Sequence, residues 1–192
     1  TLTRAIYAAR EAGFDAVECH WPYETDPKDI SKALLETDFI MIGINTRRGD
    51  VDAGENGLSA LPGREKDAKK AIDEAISYAR IIKAKNIHVM AGFSYGDKAR
   101  DVFIRNLKYA CDRAIDHDIT ILIEPLNEYD APGYFLKTTS QALNIIKDIN
   151  RANLKLMFDC YHVQLTEGNI SLKLKNLMPY IGHIQFASVP GR

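Results

Sequence analysis

The sequence predicts an α/β fold of parallel strands closed into a barrel rather than left as an open sheet. Extended apolar runs and amphipathic helical stretches alternate without a break along the 192 residues. Strand, helix and strand in that order mean parallel pairing through a crossover. Three of the runs end in a metal-competent polar residue: Ile121-Leu122-Ile123-Glu124, Leu154-Lys155-Leu156-Met157-Phe158-Asp159 and Ile181-Gly182-His183-Ile184-Gln185. Parallel strands bring such ends to one rim, where α/β folds keep their active sites. An open doubly wound sheet calls for a glycine-rich phosphate turn, and neither GxGxxG nor GxxxxGK followed by Ser or Thr occurs.

The elements follow in order. Residues 3–12 carry an apolar stripe of helical period that Gly13 stops. Residues 15–20 form a strand closed by Trp21-Pro22. Asp26-Pro27 supplies a cap and a first-turn proline for a helix that buries Ile30, Ala33 and Leu34. Phe39 to Asn45 is the next strand, and a connection rich in Gly, Asp, Asn and Arg spans 46–63. A long helix begins near Pro62 and shows a clean core face from Ala68 to Ile82. After the strand 86–91, Val102, Phe103, Leu107, Ala110, Cys111 and Ala114 mark a helix that leads into the strand 119–124. Thr138 with Gln141 makes a capping-box signature for a helix running to about Ile149. The strand 154–159, a helix over about 170–177 and the strand 181–187 complete the series.

Six strands, each with its helix, make a single partial domain over 1–192. A (β/α)8 barrel needs eight strands and about 250 residues. The expectation is therefore a barrel truncated at both ends, lacking its first strand and its final βα portion, and a first residue other than Met agrees with this.

Bulk composition narrows the function. A formal net charge of −1 gives no electrostatic case for nucleic acid or an anionic membrane. No apolar run approaches the roughly 20 residues of a spanning helix, so no membrane partner is expected. Three widely spaced cysteines without a CxxC argue against a disulfide framework and for a reducing, cytoplasmic setting. Cys19 and Cys111 are expected as small buried residues; Cys160 lies beside Asp159, but no dedicated Cys–His pair makes it a nucleophile.

Glu124, Asp159 and Gln185 close successive strands, and oxygen donors of that kind suit magnesium or manganese. His162 follows Asp159 by three positions. His183 precedes Gln185 by two, which puts both on one strand face, one of them as support for the ligands. His88 and Glu18 lie on strands, where a satisfied buried polar group and a place in the site are both open. His20 and His117 read as loop or surface residues. The 46–63 connection exceeds the usual roughly 2–6 residues and carries Arg47 and Arg48, with Arg64 just beyond it. That suits a lid clamping a carboxylate, against the plainer reading of solvated loop charge.

Four segments carry a resemblance: Gly54-Glu55-Asn56-Gly57-Leu58-Ser59-Ala60-Leu61-Pro62-Gly63-Arg64-Glu65, His88-Val89-Met90-Ala91-Gly92, Ile123-Glu124-Pro125-Leu126-Asn127 and Pro190-Gly191-Arg192. They resemble the hydroxypyruvate isomerase family of xylose-isomerase-like TIM barrels, beside which stand the closely similar 2-oxo-tetronate isomerases. The resemblance covers essentially the whole chain. It implies a divalent ion held by Glu124, Asp159 and Gln185, with Glu124 also one of two acid/base glutamates. It further implies His162 and Arg192 on the substrate side, to which we add His88 as a substrate-binding residue. The family's fourth ligand and second catalytic glutamate would fall after Arg192, so residues 1–192 alone should be poorly active or inactive. The implied reaction interconverts hydroxypyruvate and tartronate semialdehyde, a small oxo-acid substrate, and a homo-oligomer is compatible with it.

The alternatives share the site or abandon it. A 2-oxo-tetronate isomerase or a ketose 3-epimerase would run the same chemistry on a longer substrate. A non-catalytic binding module would use the exposed edges of strands 15–20 and 181–187 for association. Endonuclease IV-like relatives use several zinc ions and many histidines, which five scattered histidines and no basic excess do not match.

Overall fold

A computed structural model describes residues 1–191, and strands and helices alternate through it. The strands are β1 (Ala16–Val17), β2 (Ile40–Met41), β3 (Gly43–Asn45), β4 (Asn86–His88), β5 (Thr120–Ile123), β6 (Leu154–Asp159) and β7 (Ile181–Gln185). Every pairing is parallel. β3 to β7 form one sheet in sequence order, and β1 pairs with β2 beside it. Backbone bonds from Cys19 to Gly43 and from Asn45 to His20 carry the pairing on past these two short strands. The result is the curled parallel sheet of the predicted barrel, with its helices outside.

The expected strand 39–45 is divided. Ile42 leaves both ladders and donates its N–H to the Val17 carbonyl at 2.7 Å, so β2 faces β1 and β3 faces β4. The bonds that join Gly43 and Asn45 to Cys19 and His20 keep the first strand alongside, so the division at Ile42 interrupts the ladder without a change of neighbour, and alternating apolar residues do not announce it.

The helices are α1 (Leu2–Glu11), α2 (Pro27–Thr37), α3 (Glu65–Ile82), α4 (Gly96–Ala114), α5 (Thr139–Ile149), α6 (Cys160–Thr166) and α7 (Ile170–Leu177). Their buried stripes are the predicted ones: Ile72, Ala75, Ile76 and Ala79 on α3, and Phe103, Leu107 and Ala110 on α4. These pack on Ile87, Ile121, Ile123 and Phe158 of the strands, all fully buried. Asp26 caps α2 through the Lys28 N–H at 2.8 Å. Thr138 caps α5 by accepting from the Gln141 N–H, but the Gln141 side chain reaches back to the N–H of Lys137, one residue earlier than a capping box requires.

Two outer features bear on the site. β7 pairs only with β6 among the described residues, and its outward side chains continue into Phe186, which is 87% exposed. Inside the curl, Glu18 at the end of β1 reaches His183 and Gln185 of β7.

Candidate active site

The strand ends supply the site. Asn45, His88, Asp159 and Gln185 are the last residues of β3, β4, β6 and β7, and Glu124 is the first residue beyond β5. In register, Asn45 lies opposite His88 and Asp159 opposite Gln185. A cavity of about 200 Å³ opens at this rim, lined by His88, Glu124, His162 and Gln185, with Trp21 and Asn56 on the loop side. Roughly 300–1,000 Å³ is usual for drug-sized ligands, so this space suits a molecule of a few carbons.

Glu124, Asp159 and His162 are buried together, each offering a donor atom within 4.8 Å of the others. The His162 Nε2 stands 3.9 Å from Glu124 Oε1 and 3.9 Å from Asp159 Oδ2. Asp159 is only 1% exposed, and its Oδ1 caps α6 by accepting from the Tyr161 N–H at 2.8 Å. One carboxylate oxygen is thus tied to the backbone while the other faces the cluster. Two carboxylates buried so close together repel unless a cation or proton lies between them. Hard oxygen donors converging on a small cavity fit a divalent cation.

Gln185 lines the same cavity, and its amide donates to Glu18 Oε1 at 2.6 Å. His183 Nε2 meets Glu18 Oε2 at 2.8 Å, so the two β7 residues do share a face and a partner. Burial alone would raise the Glu18 pKa, but the bonds from His183 and Gln185 outweigh it and hold the carboxyl below its ordinary range.

His88 is 2% exposed, and among the described residues neither ring nitrogen has a hydrogen-bond partner. Its Nδ1 lies 3.5 Å from Glu124 Oε2. Burial, with His20 and His162 nearby, drives its pKa down to about 3, so this contact joins a neutral imidazole to a carboxylate and is not an ion pair. Unpartnered buried nitrogens facing a cavity mark a place where a ligand completes the bonding.

The 46–63 connection is less free than a hinged lid. Ser59 and Ala60 bond to the Met90 and Ala91 carbonyls, and Gly57 lies against Gly92. A Cβ on Gly92, at φ +93°, would stand 2.1 Å from the Gly57 carbonyl oxygen, so only glycine fits that crossing. The exposed tip is 51–54. Of the three arginines, Arg47 pairs with Glu24 and Glu74, and Arg64 pairs with Glu55 and Asp67. Arg48 meets no carboxylate among the described residues. Its guanidinium lies 4.9 Å from the Trp21 ring centroid, and its Nε donates to Asn56 Oδ1 at 3.0 Å. Both contacts are residues of the cavity wall.

Arg192 lies outside the described residues. His20, expected as a loop or surface residue, is exposed but also lines the cavity, as do Asn45 and Asn56, which the sequence reading left out. The one signal for Asn45 is its place at the end of an apolar run. Cys111 is buried, whereas Cys19 and Cys160 are partly exposed, a departure from the burial expected for Cys19. Burial, the largest cause in each case, raises all three thiol pKa values, so none is primed as a nucleophile.

Comparison with known proteins agrees with this geometry. A family model described as xylose isomerase-like TIM barrel matches residues 6–192. The chain is 43% identical over 189 residues to the 2-oxo-tetronate isomerase of Cupriavidus necator, covering 96% of this chain and 73% of that protein. It is 36% identical to the hydroxypyruvate isomerase of Escherichia coli K12, again over 96% of this chain and 73% of the other. Among solved structures, an AP endonuclease, family 2, protein from Brucella melitensis superposes with a TM-score of 0.97 at 34% identity, covering 100% of this chain and 76% of that one. The D-psicose 3-epimerase of Clostridium cellulolyticum H10 gives 0.81 at 18% identity, over 100% and 70% of the two chains, and speaks for the fold alone.

Proposed function

Because the chain belongs to the xylose isomerase-like TIM barrel family, we propose that it is a divalent-metal-dependent isomerase interconverting hydroxypyruvate and tartronate semialdehyde. The observation that carries the reading is the buried Glu124–Asp159–His162 cluster at the mouth of a cavity sized for a small acid. Glu124 and Asp159, with Gln185 beside them, would hold magnesium or manganese. Such an ion, when bound, supplies Lewis-acid stabilisation of negative charge on neighbouring substrate oxygens.

The chain's own residues supply the rest. Glu124, at the end of β5 and facing the cavity, takes the proton from the carbon next to the substrate carbonyl, which leaves a flat enediolate. Return of that proton to the former carbonyl carbon, with passage of the hydroxyl proton to the former carbonyl oxygen, completes the isomerisation. His88, neutral and lacking a partner, bonds a substrate oxygen, and the apolar strand interior behind the site keeps water from the reacting carbons. Among the described residues, Arg48 at the loop wall meets no carboxylate, and it is placed to meet the substrate carboxylate.

A second reading is favoured by one observation: the 43% identity to a 2-oxo-tetronate isomerase exceeds the 36% to the hydroxypyruvate isomerase. The chemistry is the same with one more carbon. The name of the Brucella protein raises a nuclease, but a net charge of −1 offers no footprint for a DNA backbone.

The test is turnover of hydroxypyruvate and of 2-oxo-tetronate by the full-length protein, with Glu124→Gln in parallel. Metal-dependent activity on the three-carbon acid, lost by at least about 100-fold in the variant, supports the proposal. Preference for the four-carbon acid selects the second reading, and a folded protein inactive on both would sink the assignment.

A further inference from the structure

We infer that Asn127 is a positioning residue that holds neutral His162 as its Nε2–H tautomer, so that His162 offers the cavity a hydrogen-bond donor and not a metal ligand. The tautomer follows from side-chain geometry alone, while the oxygen that receives the bond is named on the isomerase reading above.

Asn127 is fully buried, three residues after Glu124 on the loop that leaves β5. Its Oδ1 accepts from the Tyr129 N–H at 3.0 Å and the Asp130 N–H at 2.9 Å. Only the oxygen end of the amide can accept from two backbone donors, so the orientation of the side chain is decided. The NH2 end then points at Asp130 Oδ2, 3.0 Å away, and at His162 Nδ1, 2.7 Å away. The Asn127 backbone N–H approaches the same Nδ1 at 3.2 Å.

Two donors converge on Nδ1, which must therefore present its lone pair to them. A neutral imidazole carries one proton, and here it sits on Nε2. That nitrogen stands 3.9 Å from both cluster carboxylates, beyond direct hydrogen-bonding distance to either. A metal ion binds a nitrogen lone pair, which Nε2–H lacks. Of the three clustered residues, the two carboxylates remain as ligands and His162 becomes a donor aimed between them. On the isomerase reading its partner is the substrate oxygen that gains charge as the proton leaves, where a fixed donor does most. An imidazole held in the wrong tautomer loses that function although its position is kept.

The first experiment is long-range proton–nitrogen correlation spectroscopy on metal-free protein labelled with nitrogen-15 in histidine, with His162→Asn to assign the signals. A neutral His162 bearing its proton on Nε2 supports the inference, and a proton on Nδ1 overturns it. Manganese titration tests the ligand role separately. His162→Ala should leave the affinity within about 3-fold, whereas Asp159→Ala weakens it by at least about 10-fold; equal losses would overturn the inference.

Asn127→Asp keeps the acceptor for the Tyr129 and Asp130 N–H groups but removes the side-chain donor. It should move a proton onto Nδ1 and lower kcat by about 100-fold with KM within about 3-fold. An Asn127→Asp protein with its tautomer unchanged and full kcat would refute the positioning role. A protein inactive on both oxo-acids, yet showing the Nε2–H tautomer and the expected manganese affinities, would support the tautomer assignment and sink only the isomerase reading.

Discussion

Replacing His88 with Phe removes two nitrogens from a place where neither has a hydrogen-bond partner among the described residues. A buried polar group left unsatisfied costs about 1–3 kcal/mol, and a ring of similar size preserves the packing around it. The variant should therefore be more stable than the wild type by about 1–3 kcal/mol at pH 7.5 in EDTA. A pH dependence accompanies the gain. The unfolded His88 takes up a proton below its ordinary value of 6.5, whereas the folded one stays neutral down to about 3. Its contribution is thus intact above pH 6.5 and lost as the pH falls from 6.5 toward 3. Between pH 7.5 and 5.5 the wild type should lose roughly 1 kcal/mol that the variant does not. Urea melts of both proteins at the two pH values read these differences directly. A variant less stable than the wild type at pH 7.5, or a gap that does not widen at pH 5.5, would refute the account of His88 as a strained, ligand-ready residue. The same variant should lose at least about 10-fold in kcat/KM, a gain in stability set against a loss of function.

Two further outcomes follow from the loop. Arg48→Gln should raise KM for an oxo-acid by about 10- to 100-fold, while Arg47→Gln and Arg64→Gln change it by less than about 3-fold because their guanidinium groups already face carboxylates; steady-state kinetics on the three variants checks this. Gly92→Ala should destabilise by about 2–5 kcal/mol, since clash with the Gly57 carbonyl adds to backbone strain, whereas Gly54→Ala, at φ +82° with open space around it, should cost only about 1 kcal/mol. Equal midpoints in urea for the two glycine variants would discount the crossing.

Helices are the most legible part of this fold because their stripes repeat over many turns, as from Ala68 to Ile82 on α3. The strand ends are legible too, since parallel topology places Glu124, Asp159 and Gln185 on one rim whatever the loops do. Helix α6 escapes notice because its seven residues are too few for a stripe, and because Asp159 reads as the end of a strand when it is also the cap of the next helix. Partners are harder still. Nothing in the order of residues says that Arg47 and Arg64 meet carboxylates while Arg48, among the described residues, does not, or that Asn127 on the loop after β5 faces His162 on α6. Such facts depend on which side chains tertiary packing brings together, and local pattern carries no trace of them.

The bonds from His183 and Gln185 to the Glu18 carboxylate join positions 165 and 167 residues apart. Closing so long a loop costs entropy that only the intervening structure can offset. This contact should therefore form late in folding, after the strands between have stacked. Bonds made late scarcely affect how fast a chain folds, but they slow its unfolding. The carboxylate that steadies one wall of the cavity is on this account also a latch, setting how long the finished cavity lasts.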